Sequence, residues 1–310
     1  MKFELTILGN NSAFPAQGRY PSAQILNHNE ELFLIDCGEG TQIRMSALGI
    51  KRSRINHILI SHLHGDHIFG LPGLINSYQH LTRTAPLHVY GPTGIRQMIE
   101  TVLRLSRSVI SFELVFHELD LTTKQKILDT RSLRIYGFPL THRVPTFGYH
   151  FVEKHLHRNI RRAAIEEFQL TFEEIRALKS GDAIMLSSGR IVEPGEALEP
   201  SGPQRSYAYC SDTVYDERIV PWIAQTTLLY HEATFLHALE QKARESMHST
   251  ALQAGTMAHR ANAGRLLIGH FSSRYDDLTP LREEARSIFD RSEIAEEGQT
   301  YPIGDGSPFK

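Results

Sequence analysis

The sequence predicts an α/β fold in which two sheets are each faced by helices. Three observations carry this. Short apolar strands alternate with turns and helices through the first half, the alternation resumes after a polar insertion, and no internal repeat or low-complexity tract interrupts it. The first strand is Lys2 to Leu8. Gln24 to Leu26 and Leu32 to Ile35 flank the polar turn Asn27-His28-Asn29-Glu30 and read as a hairpin. Ile55 to Ile60 is a β-branched strand ending at Ser61. Leu71 to Leu81 and Gly94 to Leu105 carry helical spacing, separated by the strand Leu87 to Tyr90 and the turn Gly91-Pro92. Further strands are predicted at Phe112 to Phe116, Gln125 to Leu128, Leu133 to Phe138 and Phe147 to Val152. From about Glu153 to Gln204 the chain turns polar, with Arg158, Arg161 and Arg162 near its start and prolines and glycines near its end. This stretch interrupts two strands, so it reads as an arm projecting from one domain spanning 1–310. Strands then follow at Tyr207 to Cys210, Thr226 to Tyr230 and Arg265 to Ile268. Helices are predicted at Leu236 to Ala243, Ser249 to Ala261 and Pro280 to Phe289.

Composition narrows the function classes. Lys and Arg number 33 against 35 Asp and Glu, a formal net charge of -2, so no global basic field advertises nucleic acid and any such ligand must be met by local patches. Two cysteines, Cys37 and Cys210, are too few for a disulfide framework or a thiolate-rich zinc site. No charged-then-apolar leader opens the chain and no apolar run reaches transmembrane length, so no membrane and a cytoplasmic location are expected. Histidine is the outlier at 17 residues, and position decides its meaning.

His62 and His64 sit two apart just beyond a strand, so in an extended backbone their side chains leave from the same side. A turn at Gly65 then brings Asp66 and His67 toward the same space. Imidazole and carboxylate are the ligands zinc accepts when thiolates are absent. Four such groups in six residues at a strand end are poorly explained as packing, yet they cannot close two metal sites. Further donors each follow an apolar strand: His142 after Leu133 to Leu140, Asp212 after Tyr207 to Cys210, His270 after Leu266 to Ile268. Singly, each is more often structural; together they describe a site built along one rim of a sheet.

The segment His62-Leu63-His64-Gly65-Asp66-His67 resembles the signature of the metallo-β-lactamase superfamily. Within it, His231-Glu232-Ala233-Thr234-Phe235, His248-Ser249-Thr250 and the inserted arm resemble the ribonuclease Z family, whose members trim the 3′ trailer of precursor tRNA. The likeness runs from Ile7-Leu8-Gly9 to Gly269 through Tyr275. It implies an αββα sandwich with metals at one edge. It assigns His62, His64 and His142 to one zinc, Asp66, His67 and His270 to a second, and Asp212 to both. A bridging carboxylate holds two divalent ions about 3.5–4 Å apart, and water shared by them ionises near neutral pH to attack phosphorus. Manganese or iron would also fit such ligands. The resemblance makes Asp66 the general base. His248 is the candidate general acid for the leaving 3′ oxygen, with Glu232 fixing its orientation. Asp36 reads as an orienter of a ligating histidine, and Cys37 as buried and inert.

The resemblance further implies a homodimer and a precursor tRNA substrate, with no DNA partner. The arm, 153–204, corresponds to the one bacterial members use to grip the tRNA elbow. Arg158, Arg161 and Arg162 are spaced for one face of a short helix and are expected to meet phosphates. The Gly-Pro-rich stretch common in that arm is replaced here by Glu167 to Phe172. Arg274 is a further candidate phosphate contact. So is Arg19, in the loop Asn11 to Tyr20, where Tyr20 stands in place of the asparagine of many members. The basic cluster Lys51, Arg52 and Arg54 is a weaker candidate. The expected reaction leaves a 3′-hydroxyl on the tRNA and a 5′-phosphate on the trailer. The competing readings are a hydrolase of a small phosphodiester, thioester or lactone, and a non-catalytic RNA-binding module.

Overall fold

The computed structural model describes residues 2–154, 159–199 and 204–304. Sixteen strands are present among them. Six precede the midpoint of the main fold: β1 (Phe3–Gly9), β2 (Ala23–His28), β3 (Glu31–Ile35), β4 (Ile55–Leu59), β5 (Leu87–Pro92) and β6 (Leu114–Leu119). Then come β7 (Gln125–Asp129), β8 (Leu133–Leu140), β9 (Thr146–Glu153), β10 (Ile184–Met185) and β11 (Ile191–Val192). The last five are β12 (Ser206–Cys210), β13 (Leu228–Glu232), β14 (Arg265–Gly269), β15 (Ser292–Ile294) and β16 (Thr300–Pro302). They form one seven-stranded sheet in the order β16-β1-β2-β3-β4-β5-β6, another in the order β15-β14-β13-β12-β9-β8-β7, and the small hairpin β10-β11.

The helices are α1 (Thr41–Ala47), α2 (Gly65–Ile68), α3 (Leu71–His80), α4 (Ile95–Leu105), α5 (Arg162–Phe168) and α6 (Phe172–Ser180). They continue with α7 (Pro194–Ala197), α8 (Val220–Ile223), α9 (Glu240–Ser246), α10 (Ala251–Arg260) and α11 (Thr279–Arg286). Met45, Leu74 and Ile99 of α1, α3 and α4 pack on Leu34, Ile58 and Val89 of the first sheet. Ile223, Ala254 and Leu281 of α8, α10 and α11 cover Ala208, Leu229 and Leu266 of the second. The opposite faces of the two sheets meet each other: Phe33 and Phe151 rings lie 5.8 Å apart, and Tyr207 Oη donates to Gln24 while Tyr209 Oη donates to Asp36. The outcome is the expected four-layer order, helix, sheet, sheet, helix.

The β2–β3 hairpin closes on Asn29 and Glu30, both at positive φ (51° and 71°). That geometry matches the right-handed twist of its strands and is tolerated by Asn at modest cost. β3, β4, β5 and β6 run parallel, as do β12, β13, β14 and β15. Their C-terminal ends, where ladder bonds stop and side chains are freed, are where parallel sheets place ligands.

A second compact unit comprises 129–134 with 152–205. The stretch 153–204, expected to be a polar arm, has a core of its own: Ala164, Phe168, Leu170, Leu178, Ile184, Val192 and Ala197 are buried together. Glu167 to Phe172 is a helix-to-helix turn, with Gln169 left-handed after α5 and Thr171 capping α6 in a reciprocal bond with Glu174. Two buried apolar side chains and a cap thus occupy the place of a Gly-Pro-rich stretch. The expectation of one helical face for the three arginines does not hold. Arg161 is the extended residue before α5 and Arg162 its first residue, exposed and paired with Glu166. Arg158 lies outside the described residues, as do His155 and His157. The strand expected at Phe112 to Phe116 is β6, which starts at Leu114, and the helix expected from Leu236 is a 3-10 turn followed by α9; α1, α8, β15 and β16, with the helices and hairpin inside the arm, go beyond the expected elements. Among the described residues, no helix is long and apolar enough to cross a membrane.

Candidate metal centre

β4 ends at Leu59 and the chain leaves the ladder through Ser61 and His62. His64 is still extended (φ -67°, ψ 148°) and precedes α2, whose first turn carries Asp66 and His67. Gly65 permits this bend beside the ring of Phe69, because a Cβ there would lie 2.3 Å from it. His142 follows β8, Asp212 follows β12 and His270 follows β14, the last at φ 60°.

These side chains converge in two groups. In the first, His62 Nε2 lies 3.0 Å from His64 Nδ1 and 3.5 Å from Asp212 Oδ2, and His142 Nε2 lies 3.3 Å from His64 Nδ1 and 3.8 Å from Asp212 Oδ2. In the second, His67 Nε2 is 3.3 Å from His270 Nε2, and Asp66 Oδ2 is 3.5 Å and 3.3 Å from those two nitrogens. Asp212 Oδ1 faces this second group, 3.4 Å from His67 Nε2 and 3.2 Å from His270 Nε2. One carboxylate therefore turns one oxygen to each group.

The outward nitrogen of four of the five histidines is held. His67 Nδ1 meets Asp36 Oδ2 at 2.7 Å, His62 Nδ1 meets Ser61 Oγ at 3.0 Å, His142 Nδ1 meets the Met247 carbonyl at 2.8 Å, and His270 Nδ1 meets Thr234 Oγ1 at 3.0 Å. The Met247 carbonyl only accepts, so the proton of His142 sits on Nδ1 and its Nε2 lone pair points inward. Ser61 Oγ and Thr234 Oγ1 donate onward to Asp36 and Glu232, which imposes the same tautomer on His62 and His270. The Ala13 backbone N–H donates to Asp66 Oδ2 at 2.7 Å.

Whether this arrangement suits metal ions is answered by its own chemistry. Asp212 Oδ1 is buried with no hydrogen-bond partner, a state costly to maintain unless a cation meets it. His62, His64, His142 and Asp212 each offer an atom within 4.8 Å of the others, and so do Asp66, His67 and His270. Among the described residues no lysine or arginine pairs with Asp36, Asp66, Asp212 or Glu232, so the positive charge these carboxylates call for has no permanent protein source. Burial, with neighbouring histidines, holds His62 well below the ordinary histidine range, and burial lowers His64 and His142 too. Burial also acts to lower His67, but Asp212, Asp66 and Asp36 outweigh it and raise that ring. Burial would raise Asp66 and Asp212; His67 for the former, and His270 with His67 for the latter, hold both far below the usual carboxylate range. The residues fit a cluster that binds metal.

The sequence profile of the family described as Anti-Pycsar protein Apyc1 matches residues 3–279, a span containing every one of these side chains. A ribonuclease Z of Parabacteroides distasonis is 41% identical over 301 residues, 97% of this chain and 99% of its own length, and one of Bacteroides thetaiotaomicron is 40% identical over 304 residues. The chain belongs to the ribonuclease Z family. The structure of the short form of human tRNase Z covers 97% of this chain and 99% of its own with a TM-score of 0.71 at 28% identity. A metallo-β-lactamase-fold protein of Bacillus subtilis matches 97% of this chain, and all of its own, with a TM-score of 0.68 at 18% identity, a likeness of fold. The fold of this family member is the metallo-β-lactamase sandwich.

Beside the metal cluster, His248 Nδ1 lies 2.8 Å from Glu232 Oε1. Burial acts to lower His248, but Glu232 overrides it and raises its pKa to about 9. Glu232 is fully buried at the end of β13, and both its oxygens are taken: Oε1 accepts from the Thr213 N–H as well, and Oε2 from Thr234. The candidate phosphate contacts fare differently. Arg19 spends Nε on Asn11 Oδ1 and Nη2 on the Tyr275 carbonyl. Arg274 bonds Ser272 Oγ and lies over the Phe235 ring. Arg54 pairs with Glu30. Tyr20 packs on Gly40 beneath Arg44. Cys37 is buried, and burial pushes its thiol up to about 12. Sequence reasoning missed Ser61, Tyr209 and Thr234 as supports, since a hydroxyl gains that role only by long-range packing. It also missed Arg143, which lines the same cavity of about 380 Å³ as Asp66, His142, Asp212 and His248.

Proposed function

We propose that the chain is a zinc-dependent endoribonuclease that removes the 3′ trailer of precursor tRNA, leaving a 3′-hydroxyl on the tRNA and a 5′-phosphate on the trailer. One observation carries the reading: two groups of imidazole and carboxylate ligands share Asp212 in a member of this family. His62, His64 and His142 would hold one ion, Asp66, His67 and His270 the other, and Asp212 both. When bound, such a pair supplies Lewis acidity, which acidifies water toward neutral pH and offsets charge building on phosphate oxygens. The rest falls to the protein. Asp66, kept ionised by His67 and His270, accepts a hydrogen bond from the attacking water and orients it, and the Ala13 N–H fixes that carboxylate. His248 commits Nδ1 to Glu232, which leaves Nε2 to deliver a proton to the departing 3′ oxygen. Glu232 can hold that ring because its remaining acceptor sites are filled by Thr213 and Thr234.

In the same reading, the arm spanning 153–204 grips the tRNA and the enzyme acts in the cytoplasm as a homodimer. Arg161, Arg162 and Arg274 offer phosphate contacts, and Arg158 and Arg19 complete that set. A cavity of about 380 Å³ at the site is also of a size that takes small molecules, which favours a second reading as a hydrolase of a small phosphodiester. Cleavage of a precursor tRNA, with and without a chelator, is compared with turnover of bis(p-nitrophenyl) phosphate. Chelator-sensitive cutting at the trailer supports the first reading; turnover of the small ester alone supports the second.

A further inference from the structure

Arg143 follows the ligand candidate His142 and is bound to the same short segment. His142 Nδ1 donates to the Met247 carbonyl at 2.8 Å, and Arg143 Nη2 donates to the Glu245 carbonyl at 3.0 Å. Glu245 lies in the last turn of α9 and Met247 is the left-handed residue that ends it, a place where a cation is favoured by the helix dipole. The anchor uses a single guanidinium N–H of five, and the others meet no protein partner among the described residues. The side chain is exposed, and among the described residues it is the one lysine or arginine lining the cavity that contains Asp66, Asp212 and His248. Arg19 gives two N–H donors to the protein, to Asn11 Oδ1 and the Tyr275 carbonyl, whereas Arg143 gives one.

Its position relative to the two carboxylates narrows what it holds. A guanidinium reaching the centre of the site would pair with Asp66 or Asp212. Arg143 forms an ion pair with neither and its side chain is exposed, so it stands at the rim of the cavity next to His142. A bidentate donor at that rim suits a phosphate of a strand that runs past the site.

We propose that Arg143 is a substrate-binding residue that holds a phosphate of the RNA strand next to the one being cut. This rests on the reading of the chain as an endoribonuclease. The bland alternative is a cation that closes α9 and keeps His142 in place. The two differ in measurable ways, because a strand phosphate contributes to salt-dependent affinity for RNA and is absent from a small ester.

Arg143→Gln and Arg143→Lys are compared with the wild-type protein, loaded with metal, on precursor tRNA and on bis(p-nitrophenyl) phosphate. Arg143→Gln is expected to raise KM for precursor tRNA about ten- to a hundredfold, the effect of a lost charge-assisted hydrogen bond. The slope of log affinity against log salt falls by about 0.7–0.9, the contribution of one phosphate contact. Arg143→Lys restores that slope and part of the KM. Turnover of bis(p-nitrophenyl) phosphate, metal content and the thermal midpoint stay at wild-type values. An unchanged RNA KM and salt slope overturn the assignment, and so does an equal loss on both substrates, which marks a structural role. If the wild-type protein turns over the small ester but leaves precursor tRNA intact, the endoribonuclease reading itself falls, and Arg143 with it.

Discussion

Replacing Asp36 by asparagine probes the layer that aims the ligands. Asp36 sits just after β3 at φ 55° and is fully buried. Its Oδ1 accepts from the Ser61 N–H at 2.7 Å, and its Oδ2 takes Ser61 Oγ at 2.8 Å, Tyr209 Oη at 2.6 Å and His67 Nδ1 at 2.7 Å. In Asp36→Asn the volume is kept, and the amide oxygen can still serve Ser61 N–H. The amide nitrogen then stands where three donors converged. Ser61 and Tyr209 can rotate their hydroxyls away, but His67 can satisfy that nitrogen only by giving up its Nδ1 proton. The proton moves to Nε2, the atom 3.4 Å from Asp212 Oδ1 and 3.3 Å from His270 Nε2, where a lone pair is needed. Loss of such an orienting partner costs about 10- to 100-fold in metal affinity, or about 1.4–2.7 kcal/mol. One unsatisfied buried donor costs the apoprotein a further ~1–3 kcal/mol of stability. Competition against a chelating dye measures the affinity, and denaturant unfolding of the metal-free protein measures the stability. Both ions are expected to be weakened, the one held by His67 directly and the one held by His62 through the displaced Ser61 hydroxyl. A folded Asp36→Asn protein that binds both ions as tightly as wild type would refute the argument.

Three other outcomes are expected. His248→Ala slows single-turnover cleavage by about 10²–10⁴, the range for a lost proton donor, while leaving bound metal unchanged; near-wild-type cleavage would remove His248 from the chemistry. His57 stacks between Phe33 and His88, and burial, with His88, His117 and Arg83, lowers its pKa to about 4. The unfolded chain therefore takes up this proton first as pH falls, and stability drains away between about pH 6.5 and about 4, by at most about 3 kcal/mol. His57→Phe keeps a ring there and should flatten that acid limb in unfolding measurements; an unchanged slope would contradict the assignment. Leu178→Ala removes a fully buried side chain from the core of the arm and should cost about 2–5 kcal/mol there. Hydrogen exchange should then rise within 159–199 and stay constant around His62 and Asp212; an even rise across both would show that the arm has no separate core.

What the sequence made legible follows the physics of each signal. The hairpin around Asn29 and the strands ahead of His62, His142, Asp212 and His270 were readable because apolar runs bounded by turn residues are local patterns. The spacing of His62, His64, Asp66 and His67 on a strand end was readable for the same reason. The meeting of those residues with Asp212 and His270 depends on the pairing of distant strands, and no local pattern encodes it. Family resemblance supplied that step. Ser61, Tyr209 and Thr234 carry no signal of their own, since a hydroxyl becomes a support only when packing sets a ligand beside it. The arm was misjudged because its apolar residues are sparse in a charged stretch. The signs were there in Ala164 and Phe168 four apart and in the cap pair Thr171 and Glu174.

The most direct test of the metal assignment is the stoichiometry of binding when stripped protein is titrated with zinc and followed by elemental analysis. Two ions per chain are expected, falling to one in His270→Ala, with cleavage of precursor tRNA returning only as both sites fill. A chain that binds no zinc, or that cuts precursor tRNA at full rate without it, would contradict the account.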